Sequence, residues 1–353
     1  DSIKYGQSSV KRLFELTNYI RYIGVALVAL LIFIALVFII YYGTTTDFVL
    51  GGVLDAEKIS GMEELLKFVF LLAFVGFGTK AAVFPMYAWL PAASVAPTPV
   101  TALLHAVAVV NAGAYAVLRV IYYSFGASFL YGTWAPTVAL LLSCFTILFG
   151  STMAVREQHF KRRLAYSTIS NLSYMLMGAA LMTPDGMTGS LSHLVIHGVI
   201  KITLFYCAGA ILIKTGKEYV QDLRGYSRIM PATCGIFLLG SIALVGTPPL
   251  AGFVSKWNLL TAASATELPM GTVAIVCLII SAILTAIYLF TAALPMYFRP
   301  LNADQEQLAG QKLDPSWMML VPMGILCALM IGLGLWSQPL VTFLRNISAG
   351  VIF

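Results

Sequence analysis

The sequence predicts an all-α polytopic membrane protein of about nine transmembrane helices, two of them broken by proline. Three observations carry that prediction. Of 353 residues, 59% are hydrophobic and only 10% charged, with a mean hydropathy of +0.89, a balance that no soluble globular domain of this length shows. Apolar runs of about 20 residues, the length that crosses a hydrocarbon core, recur along the whole chain. The basic residues fall in short stretches between alternate runs, so the net charge of +6 forms no continuous patch for nucleic acid and encodes topology instead.

The expected spans are 19–42, 64–90, 100–123, 136–155, 163–182, 190–213, 231–263, 271–298 and 317–336, after a polar segment 1–18. Nine crossings put the termini on opposite sides. On the side of the N-terminus lie Lys4, Lys11, Arg12, Arg21, Arg156, Lys161, Arg162, Arg163, Lys214, Lys217, Arg224, Arg228, Arg299 and Lys312; the other side has Lys58, Lys67, Arg119 and Arg345. Short cytoplasmic loops concentrate Lys and Arg, so the N-terminus is expected in the cytoplasm and the C-terminus outside; the expected membrane is a bacterial or archaeal cytoplasmic membrane, with an organelle inner membrane as the alternative. The tail after Trp336 reads as an outer interfacial segment, and the connector with Asp304, Glu306 and Asp314 as a solvated loop that could dock a partner.

Lys80, Lys201 and Lys256 remain, each inside an apolar span with no intramembrane Asp or Glu to balance it. A central Lys costs about 2.5–3.5 kcal/mol on insertion scales, so three of them point to ion movement rather than packing. The second span, FGTKAAVFPMYAWLP, sets Lys80 ahead of Pro85 and Pro91, and the seventh, ALVGTPPLAGFVSKWNLL, sets Lys256 behind Pro248 and Pro249. A proline removes a backbone donor and frees a carbonyl, which inside a membrane must be met by protein or by a wet cavity. These four prolines are the expected helix breaks.

The sixth span, SLSHLVIHGVIKITLFYCAGAIL, places His193, His197 and Lys201 at i, i+4 and i+8, on one helix face with about 6 Å between neighbours. Imidazole titrates near neutrality and a desolvated Lys is drawn toward the same range, so such a row can pass protons. A zinc pair is the weaker alternative, since no Glu or Cys lies close in sequence; histidines with purely structural hydrogen bonds are another. His105 in the third span and the hydroxyls of Ser167, Thr168, Ser170 and Ser173 in the fifth are candidates to extend the path, or small polar packing residues. Cys144, Cys207, Cys234, Cys277 and Cys327 form no CxxC pair and read as packed thiols. No dinucleotide fingerprint, P-loop or cluster ligand set is present, so no catalytic residue and no cofactor is expected in this chain.

Four motifs in order, GTKAAVFPMYAWLPAASVAPTPVTALLHA, KRRLAYSTISNLSYM, SHLVIHGVIKITLFYCAGAIL and GTPPLAGFVSKWNLL, resemble the antiporter-like proton-channel subunits. These occur in respiratory complex I, in Mrp-type multi-subunit Na+/H+ antiporters and in membrane-bound hydrogenases. The resemblance implies a core of fourteen helices in two inverted repeats, of which the nine spans look like helices six to fourteen. It implies that 19–123 is the remainder of the first half-channel repeat, 124–300 the second, and 301–353 a connector, the last helix and the tail. It also implies a relay running from Lys80 through His105 to Lys201, with His193 and His197 beside it, and on to Lys256.

In that family a glutamate of the fifth helix pairs with the lysine matched by Lys80, and this chain has no candidate. Glu15 lies in the polar segment, and Glu63 and Glu64 at a membrane edge. Either the chain is a fragment beginning after helix five, or another polypeptide supplies helices one to five. The function expected from the resemblance is proton, or Na+/H+, translocation within a larger complex, with iron–sulfur clusters, flavin or a nickel–iron centre only in partner subunits. The alternatives are a structural membrane subunit that no longer transports and an independent secondary transporter for a small organic ion.

Overall fold

The computed structural model describes residues 24–94, 96–266, 269–302 and 310–350. The segment 1–18 with Glu15, and Asp304 and Glu306 of the connector, lie outside the described residues. Apart from two isolated bridges, Gly43 with Leu54 and His159 with Tyr219, the described secondary structure is helical. Each of the nine expected spans corresponds to a helix or to a broken pair of helices.

The first span is α1 (Gly24–Tyr42), which lies at the edge of the bundle with Val25, Phe33 and Tyr41 facing outward. A short α2 (Ala56–Ile59) follows, opened by the Asp55 carboxylate, which accepts the Glu57 N–H at 3.1 Å. The second span is α3 (Glu63–Gly78) and α4 (Trp89–Ala93), with irregular backbone between. Groups freed there find partners: Trp89 Nε1 donates to the Thr79 carbonyl at 2.8 Å, and the Phe84 N–H donates to Thr146 Oγ1 at 3.2 Å. Pro85 sits in this break. Pro91, expected as a second break, instead occupies the first turn of α4, where a missing N–H costs nothing.

The third span begins two residues before its expected start and is interrupted without any proline. It comprises α5 (Thr98–Ala106), α6 (Val109–Arg119) and a π-turn segment Val120–Phe125. At the kink, Asn111 Nδ2 donates to the Ala106 carbonyl at 2.9 Å and to the Leu194 carbonyl at 3.4 Å, so a side-chain amide takes over a ladder bond. A single turn, α7 (Ala127–Leu130), leads into α8 (Trp134–Arg156), α9 (Phe160–Ala180) and α10 (Pro184–Thr215).

Helix α9 explains the centre of the molecule. It is 21 residues long and buried along nearly its whole length by α8, α10 and α13, so its Ser, Thr and Asn side chains never meet lipid. Six helical stretches of the described residues are long and apolar enough to cross a membrane: α1, Thr98–Phe125, α8, α10, α13 and α14. The polar α9 is carried among them. Helix α10 extends beyond the expected 190–213 at both ends because its caps lie further out. Thr183 Oγ1 accepts the Gly186 N–H at 3.1 Å with Pro184 at the first position, and Gly216 closes the other end at φ 66°. Thr183→Ala is expected to cost about 1 kcal/mol, seen as a lower midpoint in thermal unfolding of the detergent-solubilised protein.

The seventh span is α11 (Pro231–Val245) and α12 (Ala251–Ser264), broken around Pro248 and Pro249 as expected, and α13 (Met270–Phe298) and α14 (Trp317–Leu335) complete the set. The tail after Trp336, expected as an interfacial segment, is a helix of 12 residues, α15 (Gln338–Ala349). Its Val341, Leu344 and Ser348 face inward, and Ser348 Oγ pairs with Thr188 Oγ1 at 3.0 Å, which docks it on α10.

Candidate functional site

His193, His197 and Lys201 lie on the inner face of α10, 2%, 0% and 0% exposed. The two imidazoles are 5.8 Å apart at 27°. Each end of the row is fixed by a different neighbouring helix. His193 Nδ1 lies 2.9 Å from Ser255 Oγ on α12. Lys201 Nζ donates to the Leu164 carbonyl at 2.9 Å and to Ser167 Oγ, both on α9. His105, at the end of α5 just before the kink, is fully buried and stacks at 4.9 Å on Phe205, one turn beyond Lys201. Lys201 is within electrostatic reach of both His105 and His197, and Lys256 of His193.

Lys256 owes its place to the proline pair. In an α-helix the carbonyls of residues 244 and 245 would accept the N–H groups of residues 248 and 249, and both of those are proline. Lys256 Nζ takes these two carbonyls, at 2.8 Å from Leu244 and 3.0 Å from Val245. An ammonium there also suits the negative end of the α11 dipole. The same ammonium lies 5.4 Å from the centre of the Tyr174 ring, which meets His193 edge-on at 5.4 Å. Tyr174 of α9 thus touches both the α10 row and the α12 lysine.

The structure therefore brings together five of the six expected residues, His105, Lys201, His197, His193 and Lys256. Lys80 stands apart. It lies in the break after α3 with its Cβ against Gly113 of α6, and its side chain is exposed, with no hydrogen bond or ion pair to any described residue. Several polar atoms around the row have no protein partner: both ring nitrogens of His105 and of His197, His193 Nε2, Ser173 Oγ, Asn171 Oδ1 and Asn111 Oδ1. Of the expected hydroxyls, Ser167 meets Lys201, while Thr168 turns back to the Leu164 carbonyl at 3.1 Å. Ser170 faces the other way, in a cluster with Ser151 and Ser281 at 2.7–3.2 Å that Tyr174 Oη joins at 2.7 Å.

The family model described as NADH:quinone oxidoreductase/Mrp antiporter, TM, matches residues 5–285. The chain belongs to this family. As a member it is an integral membrane protein. Subunit N of the NADH-quinone oxidoreductase of Desulforudis audaxviator is 33% identical over 290 residues, covering 79% of this chain and 56% of the relative. A Na+/H+ antiporter protein of Bacillus subtilis is 32% identical over 312 residues, 84% of this chain and 38% of the relative. The chain thus spans about half or less of these relatives' length. The solved Mrp complex of Dietzia contains a chain that superposes on 94% of this one with a TM-score of 0.77 at 23% identity, covering 67% of that chain. A chain of the archaeal membrane-bound sulfane sulfur reductase gives 0.75 over 93%, at 22% identity, covering 63% of its length. At these identities the likeness is one of fold.

In this antiporter-family chain Tyr174, Ser255 and Asn111 carry no sequence signal of their own as site residues, and Lys161 and Arg163 read only as topology charges. Ser255 adjoins Lys256 and Tyr174 lies one turn after Ser170, spacings that signal a shared neighbourhood once α9 is known to be central. The KRR context of Lys161 and Arg163 points to a loop, yet they are 5% and 3% exposed. Lys161 donates to the Ala96 carbonyl at 3.3 Å, and Arg163 to the Tyr288 carbonyl and Thr291 Oγ1 at 3.0 and 2.9 Å.

Proposed function

We propose that this chain moves protons, alone or in exchange for Na+, as one membrane subunit of a larger redox-driven or antiporter complex. The observation that carries the reading is the near-continuous row of buried His105, Lys201, His197 and His193 with half-buried Lys256, whose unpartnered ring nitrogens are the groups a chain of waters would join. Two positive charges about 8 Å apart at an effective dielectric near 20 repel by about 2 kcal/mol. That shifts a proton equilibrium by more than tenfold, so a charge arriving at one lysine can drive a proton from the next. Lys80 would be the entry, with a carboxylate from outside the described residues facing its open ammonium. The partner subunits would carry any iron–sulfur cluster, flavin or nickel–iron centre, and the basic loops would face the cytoplasm together with the N-terminus.

A second reading, a structural subunit without transport, is favoured by one fact: both Lys201 and Lys256 donate to main-chain carbonyls and so could serve only to tie helices together. Replacing both by alanine separates the two. Proton uptake by inverted membrane vesicles carrying the assembled complex is expected to fall to background in the double variant while the complex still assembles. Full uptake with both lysines gone would establish the structural role and end the relay reading.

A further inference from the structure

Where the turn between α8 and α9 meets the segment after α10, the two connections are fastened together. The Phe160 N–H donates to the Glu218 carbonyl at 2.7 Å, and the Val220 N–H to the Gln158 carbonyl at 2.9 Å. Behind this seam lies a cavity of about 260 Å³ lined by Gln158, Arg163, Gln221, Arg224, Thr291 and Pro295. At Thr291 and Pro295 it adjoins a larger, shallow groove of about 540 Å³ that runs along the outer face of α13 past Ile287, Phe290, Leu294 and Phe298 to Arg299. Proline at 295 has no N–H to offer the Thr291 carbonyl one turn back in α13. The Pro295 carbonyl itself accepts the Gly225 N–H at 3.0 Å.

The charge of this corner is predominantly positive, with the Glu157 carboxylate the one acid in electrostatic reach of Arg163 among the described residues. Arg163 is 3% exposed and its guanidinium reaches only neutral acceptors, the carbonyls of Glu157 and Tyr288 and the Thr291 hydroxyl, at 2.8–3.0 Å. The Glu157 carboxylate, the nearest acid in sequence, is turned to the His159 N–H at 2.9 Å. Arg224 lines the cavity and Arg299 the end of the groove; both are exposed, and neither makes an ion pair among the described residues. Asp222, on the same loop as Arg224, does not line the cavity. A guanidinium out of water needs a counter-charge, and planar forks are suited to a phosphate.

The groove decides which phosphate. The stretch of α13 from Ala286 to Phe298 is about 18 Å long at 1.5 Å per residue, roughly the depth of one leaflet. Its walls are apolar and open sideways, with Ile287 42%, Leu294 45% and Phe298 81% exposed. A soluble anion would leave that surface unused. We propose that cavity and groove together form a site for one anionic phospholipid, with its phosphate among Arg163, Arg224 and Arg299 and an acyl chain along α13. The site is distinct from the lysine and histidine row and does not depend on its role.

The test is native mass spectrometry of the full chain, purified with its partners in mild detergent and offered phosphatidylglycerol or phosphatidylcholine. Wild type should retain phosphatidylglycerol about tenfold better than phosphatidylcholine, the scale expected when basic side chains flank an anionic headgroup. The double variant Arg224→Gln and Arg299→Gln should lose that preference. Arg228→Gln, exposed on the same loop but outside the cavity, should keep it. Equal retention of the two lipids by wild type, or an unchanged preference in the double variant, overturns the proposal. A third arm adds sn-glycerol 3-phosphate: displacement of the lipid at equal concentration would make this a soluble-anion site and would also overturn it.

Discussion

Lys201→Arg is expected to stop proton translocation as completely as Lys201→Ala. The two substitutions fail for different reasons. Alanine removes the titratable group, whereas arginine keeps the positive charge and the donors for Leu164 and Ser167 but holds its proton at any working pH. A relay member must both accept and release, so both variants should fall by about two orders of magnitude, the scale on which a positioned proton carrier acts. A tie between helices has no such requirement, and the structural reading predicts that arginine is tolerated. The alanine variant should still assemble, because the Leu164 carbonyl also accepts the Ser167 and Thr168 hydroxyls at 2.9 and 3.1 Å and is not orphaned when the ammonium leaves. Arginine is bulkier in a fully buried place and carries an overpacking cost of about 1–3 kcal/mol. Uptake is therefore normalised to the amount of intact complex on a native gel. Normal uptake by Lys201→Arg would rule out proton cycling at this residue.

Features set by a few neighbouring residues were legible in the sequence. The i, i+4, i+8 spacing of His193, His197 and Lys201 defines one helix face wherever the helix sits, and Pro248 with Pro249 must interrupt α11 because no ladder can pass two residues without N–H groups. Features set by distant partners were not legible. The kink after His105 is bridged by the Asn111 amide, which reaches both the Ala106 carbonyl and that of Leu194, 83 residues away, and nothing in the local sequence VAVVNAGA marks it as a break. Arg163 looks like a loop charge because its KRR run serves topology, yet its fork reaches α13 at Tyr288 and Thr291. Pro91 looks like Pro85, but the chain re-enters a helix two residues before it, where a proline is harmless. The same limit applies to Lys80. Its apolar flanks place it within a span, but whether its ammonium meets the row depends on packing that no local pattern encodes.

The second large effect is expected at Gly252, where α11 and α12 nearly touch. A Cβ there would overlap the Ala243 oxygen and lie 2.9 Å from the Ala243 carbonyl carbon. These are main-chain atoms that cannot turn aside, so α12 as a whole would have to withdraw from α11. Gly252→Ala should then cost about 3 kcal/mol, the upper part of the range for overpacking. The displacement also bears on the site, since Ser255 holds His193 and Lys256 reaches back to Leu244 and Val245 from one turn further along the same helix. Gly235→Ala on α11 is the matched control. Its Cβ would meet only the Tyr297 hydroxyl at 3.9 Å, so alanine there should be neutral or gain up to about 1 kcal/mol from helix propensity. Thermal unfolding of the two purified variants should separate them clearly, with Gly252→Ala well below wild type and Gly235→Ala at or above it. Equal midpoints would mean that the two helices do not approach at this point, and that Lys256 is not held by the carbonyls that the proline pair sets free.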